Sequence, residues 1–348
     1  MSRKLLSYTA LGLILGNAAI ADVPKVAVDI APVHSLVSRV MEGVGSPKLI
    51  IPAGASPHEY SLRPSEAKSL QDADMVIWMG EDLAPWMENS IEKLAKNAEV
   101  ITLLEASETK LLDFREGALF EEHDHGDHDD HDDHDDHDHD KDHDEHDDHD
   151  DHDDHDHDKD HDDHDDHDDH DDHAGHDHGE HDPHAWLSIE NAQTWLNLVA
   201  GKLSAADPEN AGVYFGNAAA ARSEIEELSK EVNSILDPVR GRSFVVFHDA
   251  YQYFETSFDF PASGAISLGD ATDPSASRIA EIQGRVREEG INCVLSEPQY
   301  NPNLVETVLE GTDAKTGVID PLGVNLEPGS KLYGDLIRNM AKSLAGCL

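Results

Sequence analysis

Lys25 to Tyr60 reads KVAVDIAPVHSLVSRVMEGVGSPKLIIPAGASPHEY. Lys25–Ile30 predicts a short strand. Pro32 then opens a pattern in which Val33, Leu36, Val37, Val40 and Met41 recur at helical spacing, ending near Gly43. Pro47–Ile51 predicts a second strand, followed by the loop Pro52-Ala53-Gly54-Ala55-Ser56-Pro57-His58. Strand, helix and strand in succession make a βαβ unit, the building block of a parallel sheet.

The alternation continues outward. Pro64-Ser65-Glu66 starts a helix, Met75–Met79 (MVIWM) a third strand, Leu83 to Ala95 a helix, and Val100–Leu103 a fourth strand. Right-handed crossovers would place the strand ends and their loops on one edge. Farther along, Trp186–Leu203 predicts a helix. Asp207-Pro208 supplies an N-cap residue and a first-turn proline for another. That second helix runs unbroken to about Leu236 and stops at Pro238; roughly 29 residues span about 43 Å. Such a helix exceeds the needs of one lobe and suits a strut.

Strands at Phe244–Phe247, Ala262–Ser267, Asn292–Leu295 and Gly317–Ile319 then alternate with further helices. These are expected over Ala250–Glu255, from Asp273-Pro274 to about Glu289, over Asn303–Glu310 and over Ser330–Leu344. The expected fold is α/β: two βα lobes with parallel sheets joined by a long rigid helix, with a cleft between them. The N-terminal lobe takes residues 22–122 and 183–206, the linking helix 207–237 and the C-terminal lobe 238–348.

His123 to Asp182 is of another kind. It is built mostly of His-Asp-Asp triplets, has no apolar periodicity, and repeats residues 128–144 letter for letter at 146–162. Too polar to offset the entropy of ordering, it is expected to be a disordered insertion. It holds 21 of the 25 His and 33 of the 74 acidic residues. A solvating spacer would need only the Asp, whereas imidazole is the commonest side-chain metal ligand near neutral pH, so the tract reads as metal-binding. The formal net charge of −49 argues against nucleic acid or anionic membranes as partners and for cations.

Met1-Ser2-Arg3-Lys4, the apolar run Leu11–Ile14 and the ending Ala19-Ile20-Ala21 describe a cleaved signal peptide, residues 1–21. A membrane anchor would need about 20 apolar residues. No Cys near the cleavage point could carry a lipid. The expected address is the periplasm. Cys293 and Cys347, an even pair in an oxidising compartment, suggest one disulfide, with two buried thiols as the other reading.

Outside the insertion lie His34, His58, His184 and His248. His58 sits in a loop after a strand, His184 where the insertion rejoins the fold, and His248 at the end of a strand; loops of this kind converge in open α/β sheets. Three imidazoles closing round one ion suit tetrahedral zinc. Each could equally be a hydrogen-bonded structural residue, and spacing leaves both readings open. His34, in an early helix, suggests a surface or capping role.

The segments GASPHEYSLRPSEAKSL (54–70), DPHAWLS (182–188), FVVFHDAYQYFE (244–255), SEPQY (296–300) and IDPLG (319–323) closely resemble the periplasmic zinc-binding component of bacterial zinc ABC uptake transporters, ZnuA type. The resemblance spans nearly all of residues 23–348, in order, with a His/Asp-rich loop in the matching place. It implies a solute-binding protein with zinc in the cleft between the lobes, held by His58, His184 and His248. Related manganese binders carry a carboxylate where His248 stands, so zinc is favoured. The resemblance also implies a Cys293–Cys347 bridge. Relatives with Glu before the first ligand use it as fourth ligand; here that residue is Pro57. The fourth position falls to Asp320, to water or to a loop His, with Asp320 the expected one.

The function so implied is a high-affinity periplasmic receptor delivering zinc to the membrane permease of an ABC transporter, with the insertion capturing zinc. Periplasmic zinc chaperones are further partners to consider, a monomer is expected, and the protein is not expected to be an enzyme. A zinc hydrolase would also use three His plus water. No G-x-S-x-G elbow is present, and neither Glu59 nor Glu297 has an evident role as a base. A zinc buffer without a permease is the other alternative.

Overall fold

The structure, a computed structural model, describes residues 23–115, 181–267, 275–300 and 302–348. The expected leader, nearly all of the His/Asp-rich insertion and the expected helix start at Asp273-Pro274 lie outside the described residues.

The first lobe runs β1 (Val26–Val28), α1 (Ala31–Val40), β2 (Lys48–Leu49), α2 (Pro64–Gln71), β3 (Met75–Trp78), α3 (Pro85–Leu94) and β4 (Glu99–Thr102). The second runs β5 (Phe244–His248), α6 (Gln252–Phe258), β6 (Ala265–Ser267), α7 (Ala276–Glu288), β7 (Cys293–Ser296), α8 (Pro302–Leu309), β8 (Lys315–Val318) and α9 (Leu332–Cys347). Between them lie α4 (Ile189–Ala206) and α5 (Ala211–Leu236).

Both sheets are parallel and share one topology, β2-β1-β3-β4 and β6-β5-β7-β8. Every residue of β1, β3 and β5 is buried, as expected of parallel strands covered on both faces. In each sheet the chain first steps to one side of its opening strand and then crosses to the other. The order therefore reverses beside β1 and beside β5, and a crevice opens there at the carboxyl ends of the strands.

The strands and helices stand where the sequence places them, with shifts that have local causes. The helix expected from Trp186 begins instead at Ile189. Ser188 takes the cap, its hydroxyl accepting from Asn191 N–H at 3.2 Å, and Ala185–Leu187 is left as a 3-10 turn. Pro208 likewise opens a 3-10 turn, in which buried Asp207 accepts from Asn210 Nδ2 at 2.7 Å and the Tyr214 hydroxyl at 2.8 Å before α5 begins. α5 packs on α4, on α1 of the first lobe and on α9 of the second. One apolar core crosses all of them, with a smaller core on the far side of the second sheet. Cys293 on β7 and Cys347 at the end of α9 form a disulfide, Cα to Cα 5.8 Å, pinning the last helix to the sheet. No helix among the described residues is long and apolar enough to cross a membrane.

Candidate metal centre

His248 is the last residue of β5, and Glu297 follows β7, its neighbour across the reversal. His248 Nδ1 lies 2.5 Å from Glu297 Oε1, with both residues buried. His184 stands before the 3-10 turn that leads into α4. Its Nδ1 lies 2.7 Å from Asp182 Oδ1, which also accepts from the His184 backbone N–H at 2.9 Å. An ionised carboxylate can only accept, so in each neutral imidazole the proton sits on Nδ1 and the lone pair on Nε2. The two Nε2 atoms face each other at 3.4 Å. Two such lone pairs repel unless a proton or a cation stands between them. Tetrahedral zinc, with Zn–N about 2.0–2.1 Å, would set its ligand nitrogens about 3.3 Å apart.

His58 completes the group. Its ring centroid is 5.7 Å from that of His184, which is 5.2 Å from that of His248. The loop carrying it is braced by Trp86 Nε1, which donates to Pro57 O at 2.7 Å, and by Ser56 Oγ, which accepts from His58 N–H. Gly54 in this loop has φ +91, and a Cβ there would come within 3.3 Å of Val324 in the second lobe. The cavity bounded by the three His, Trp186, Glu297, Gln299, Tyr300 and Leu322 measures about 20 Å³, room for one ion or water. Among the described residues no three His, Cys, Asp or Glu side chains form a finished metal cage. The structure holds two carboxylate-backed imidazoles facing each other, with a third beside them.

Asp320 follows β8, but its carboxylate accepts from three N–H groups of its own turn: Leu322 and Gly323 on Oδ1 at 3.0 and 2.9 Å, Val324 on Oδ2 at 2.7 Å. The turn it braces touches the segments that carry His58 and His184, through Val324 at Gly54 and through Pro321 O, which accepts from Trp186 Nε1 at 2.9 Å. His34 is buried rather than on the surface, its Nε2 bonded to Pro47 O at 3.2 Å.

The splice where the insertion leaves and rejoins the fold is fastened to the second lobe. Asp113 and His181 form an antiparallel bridge. The Tyr253 hydroxyl accepts from Leu112 N–H and donates to Asp182 O, both at 2.9 Å. Arg115 lies between Asp249 and Glu255, pairing with Asp249 through Nε at 3.0 Å and Nη2, and with Glu255 through Nη1 at 2.8 Å. Burial raises the Asp249 carboxyl above its usual range, opposed by Arg115. Burial alone would lower the Arg115 guanidinium, but Glu255 and Asp249 hold it above its ordinary value. Of the four buried carboxylates here, Arg115 answers two and imidazoles answer Asp182 and Glu297, which leaves a surplus of negative charge suited to a cation.

Sequence reasoning gave Glu297 no role, passed over Asp182 as a partner, and missed Gln299 and Arg115. The Asp182–His184 pair was legible in the tripeptide DPH, whereas Glu297 meets His248 only through the β5–β7 register.

Two parallel-sheet lobes of one topology, tied by helices and meeting around imidazoles from both, define a two-lobed solute-binding protein with a site of ionic size. The family model "Zinc-uptake complex component A periplasmic" (ZnuA) matches residues 26–347. The chain is 46% identical over 346 residues to the high-affinity zinc uptake system protein ZnuA of Paracoccus denitrificans, covering 98% of each chain. It is 44% identical to that of Brucella abortus, over 96% of this chain and 94% of the relative. A crystal structure of ZnuA shares the fold with TM-score 0.68 at 18% identity, over 94% of this chain and 99% of that one. The chain belongs to the ZnuA family.

Proposed function

We infer that this protein is the high-affinity zinc receptor of a bacterial zinc ABC uptake system, binding the ion in the periplasm and presenting it to the membrane permease. Relatives named for this activity match it nearly end to end. The observation that carries the reading is the pair of Nε2 atoms 3.4 Å apart, each imidazole backed by a buried carboxylate. Such backing fixes the tautomer and raises the basicity of a metal-bound imidazole.

His58, His184 and His248 are the proposed ligands. They come from both lobes, so binding draws the lobes together and lobe separation releases the ion. An all-imidazole set favours zinc over manganese. Asp320 is the proposed fourth ligand; three turn N–H bonds already fall on its carboxylate, and each oxygen would have to share itself with the ion. A water is the alternative at that position. Residues 1–21 are proposed to be a cleaved leader, and the His/Asp-rich insertion to gather zinc and raise its local supply. A monomer is proposed, with periplasmic zinc chaperones as further partners. Transport without catalysis is the reading that the family supports.

Zinc titration of the mature protein and of a variant lacking residues 123–180 tests this. One tight site is expected in both, with fewer weak sites in the deletion. Loss of the tight site on deletion would place the function in the insertion alone, and hydrolysis of ester or phosphoester substrates would revive the enzyme reading.

A further inference from the structure

We propose that Gln299 is a positioning residue of the zinc site, its side-chain amide holding the oxygen that fills the fourth coordination position. The proposal rests on the three-imidazole reading above. Gln299 lies in the loop after β7, two residues beyond Glu297, and lines the same small cavity as His58, His184 and His248. Its Oε1 and Nε2 are both shut off from solvent, and among the described residues neither has a hydrogen-bond partner.

Buried amides in folded proteins are almost always partnered, because an amide withdrawn from water without a partner forfeits its hydration. The carboxylates around this cavity are all answered from within the protein. Asp182 and Glu297 face imidazole Nδ1 atoms, and Asp320 accepts from the turn behind it. Gln299 alone among the cavity-lining side chains has both polar atoms buried and unanswered. An apolar residue of the same size would fill this place at lower cost, unless a bound species supplies the partner.

The chemistry of the site names that species. Three neutral imidazoles leave zinc its full +2 charge and one tetrahedral position open. Pro57, in the loop beside His58, has no side-chain donor atom, and its carbonyl already accepts from Trp86 Nε1. With Asp320 or water in that position, as proposed above, the fourth ligand is an oxygen. A primary amide serves either: Nε2–H donates to a carboxylate oxygen, and Oε1 accepts from a bound water. In both cases the oxygen is held at a second point and cannot swing away from the ion. Outer partners of this kind are worth 10- to 100-fold in metal affinity.

The test compares the parent with Gln299→Met, which keeps the length and removes both polar ends. Zinc affinity is read by chelator competition, stability by thermal unfolding of the metal-free protein, and ligand geometry by the visible absorption of bound cobalt(II). In Gln299→Met the expected results are a 10- to 100-fold loss of zinc affinity, shifted cobalt bands and an unfolding temperature no lower than the parent's. A glutamine with only a structural role would give the reverse, lower stability with unchanged affinity and bands; that result overturns the proposal. If Gln299→Met does not fold, Gln299→Asn, which withdraws the same amide by one methylene, reads the same loss. In an Asp320→Ala background the Gln299→Met loss disappears if the oxygen is the carboxylate and persists if it is water. The parent is titrated first: failure to find one tight zinc site there, lost in His184→Ala, sinks the three-imidazole reading itself, whereas a parent-like Gln299→Met sinks only this inference.

Discussion

The two sheets share one strand order, yet where that order reverses they hold different chemistry. In the first lobe Asp29 follows β1 and is wholly buried. Its Oδ1 accepts from Ile30 N–H at 2.7 Å and its Oδ2 from Met79 N–H, beyond β3, at 2.6 Å. In the second lobe Glu297 follows β7 and accepts a hydrogen bond from His248 Nδ1–H. Each crevice thus has a buried carboxylate at a strand end, Asp29 in the first and Glu297 in the second. The first is spent on backbone and knits two strand ends together. The second is spent on an imidazole and leaves the lone pair of its far nitrogen facing His184. Topology supplies the crevice, and the carboxylate's partner decides whether the crevice binds. The first lobe accordingly delivers its imidazoles from longer loops, at His58 and His184.

The comparison breaks most visibly at His248. Replacing it with Ala should lower zinc affinity by more than the roughly 100-fold ceiling for outer-shell changes, measured by chelator competition. Glu297→Gln should cost about 10- to 100-fold, since the amide no longer fixes the imidazole tautomer, while thermal unfolding of the metal-free protein stays near the parent's. An unchanged affinity would show that the second crevice is as structural as the first. Asp29→Asn should do the opposite: zinc affinity within a few-fold of the parent, with about 1–3 kcal/mol of stability lost near neutral pH. The amide can accept from only one of the two backbone N–H groups and presents its own donors to the other.

The pH dependence sharpens the contrast further. Burial, opposed by its backbone hydrogen bonds, pushes the Asp29 carboxyl up from 3.8 to about 7. A raised folded-state value means that the folded protein holds a proton which the unfolded chain has released. The stabilisation from this proton is complete below about 4 and is lost as pH rises through about 7. Between those values the parent's stability should fall with pH relative to Asp29→Asn by up to about 1.4 kcal/mol per unit, read by denaturant titration. Equal slopes would remove Asp29 from the account.

Much of this arrangement is legible in the sequence. The buried runs of β1, β3, β5 and β7 are apolar enough to announce themselves, and the motif segments around His58, His184 and His248 carried the family resemblance. Edge strands were less legible. Pro47–Ile51 and Ala262–Ser267 shrink to Lys48–Leu49 and Ala265–Ser267, because an edge strand is defined by how far its single neighbour pairs with it. Helix starts moved where a capping side chain outweighed apolar spacing, as at Ser188. Within the site, Asp182 is two residues from its histidine and readable in one dimension. Glu297 is 49 residues from His248, and Arg115 is 134 from Asp249. Pairs so far apart exist only once the strand register and the splice are in place.

That splice has a consequence for how such a chain can vary over generations. Asp113 pairs with His181, and Arg115 and Tyr253 tie the two ends to the second lobe, so the fold is complete with whatever is threaded between them. For a chain closing between fixed ends, each doubling of length adds only about 0.6 kcal/mol. Copying residues 128–144 into 146–162 is a change of that order, far below the stability of a domain. The splice behaves as a port at which replication slippage can lengthen or shorten the tract while the fold that carries the splice keeps its shape.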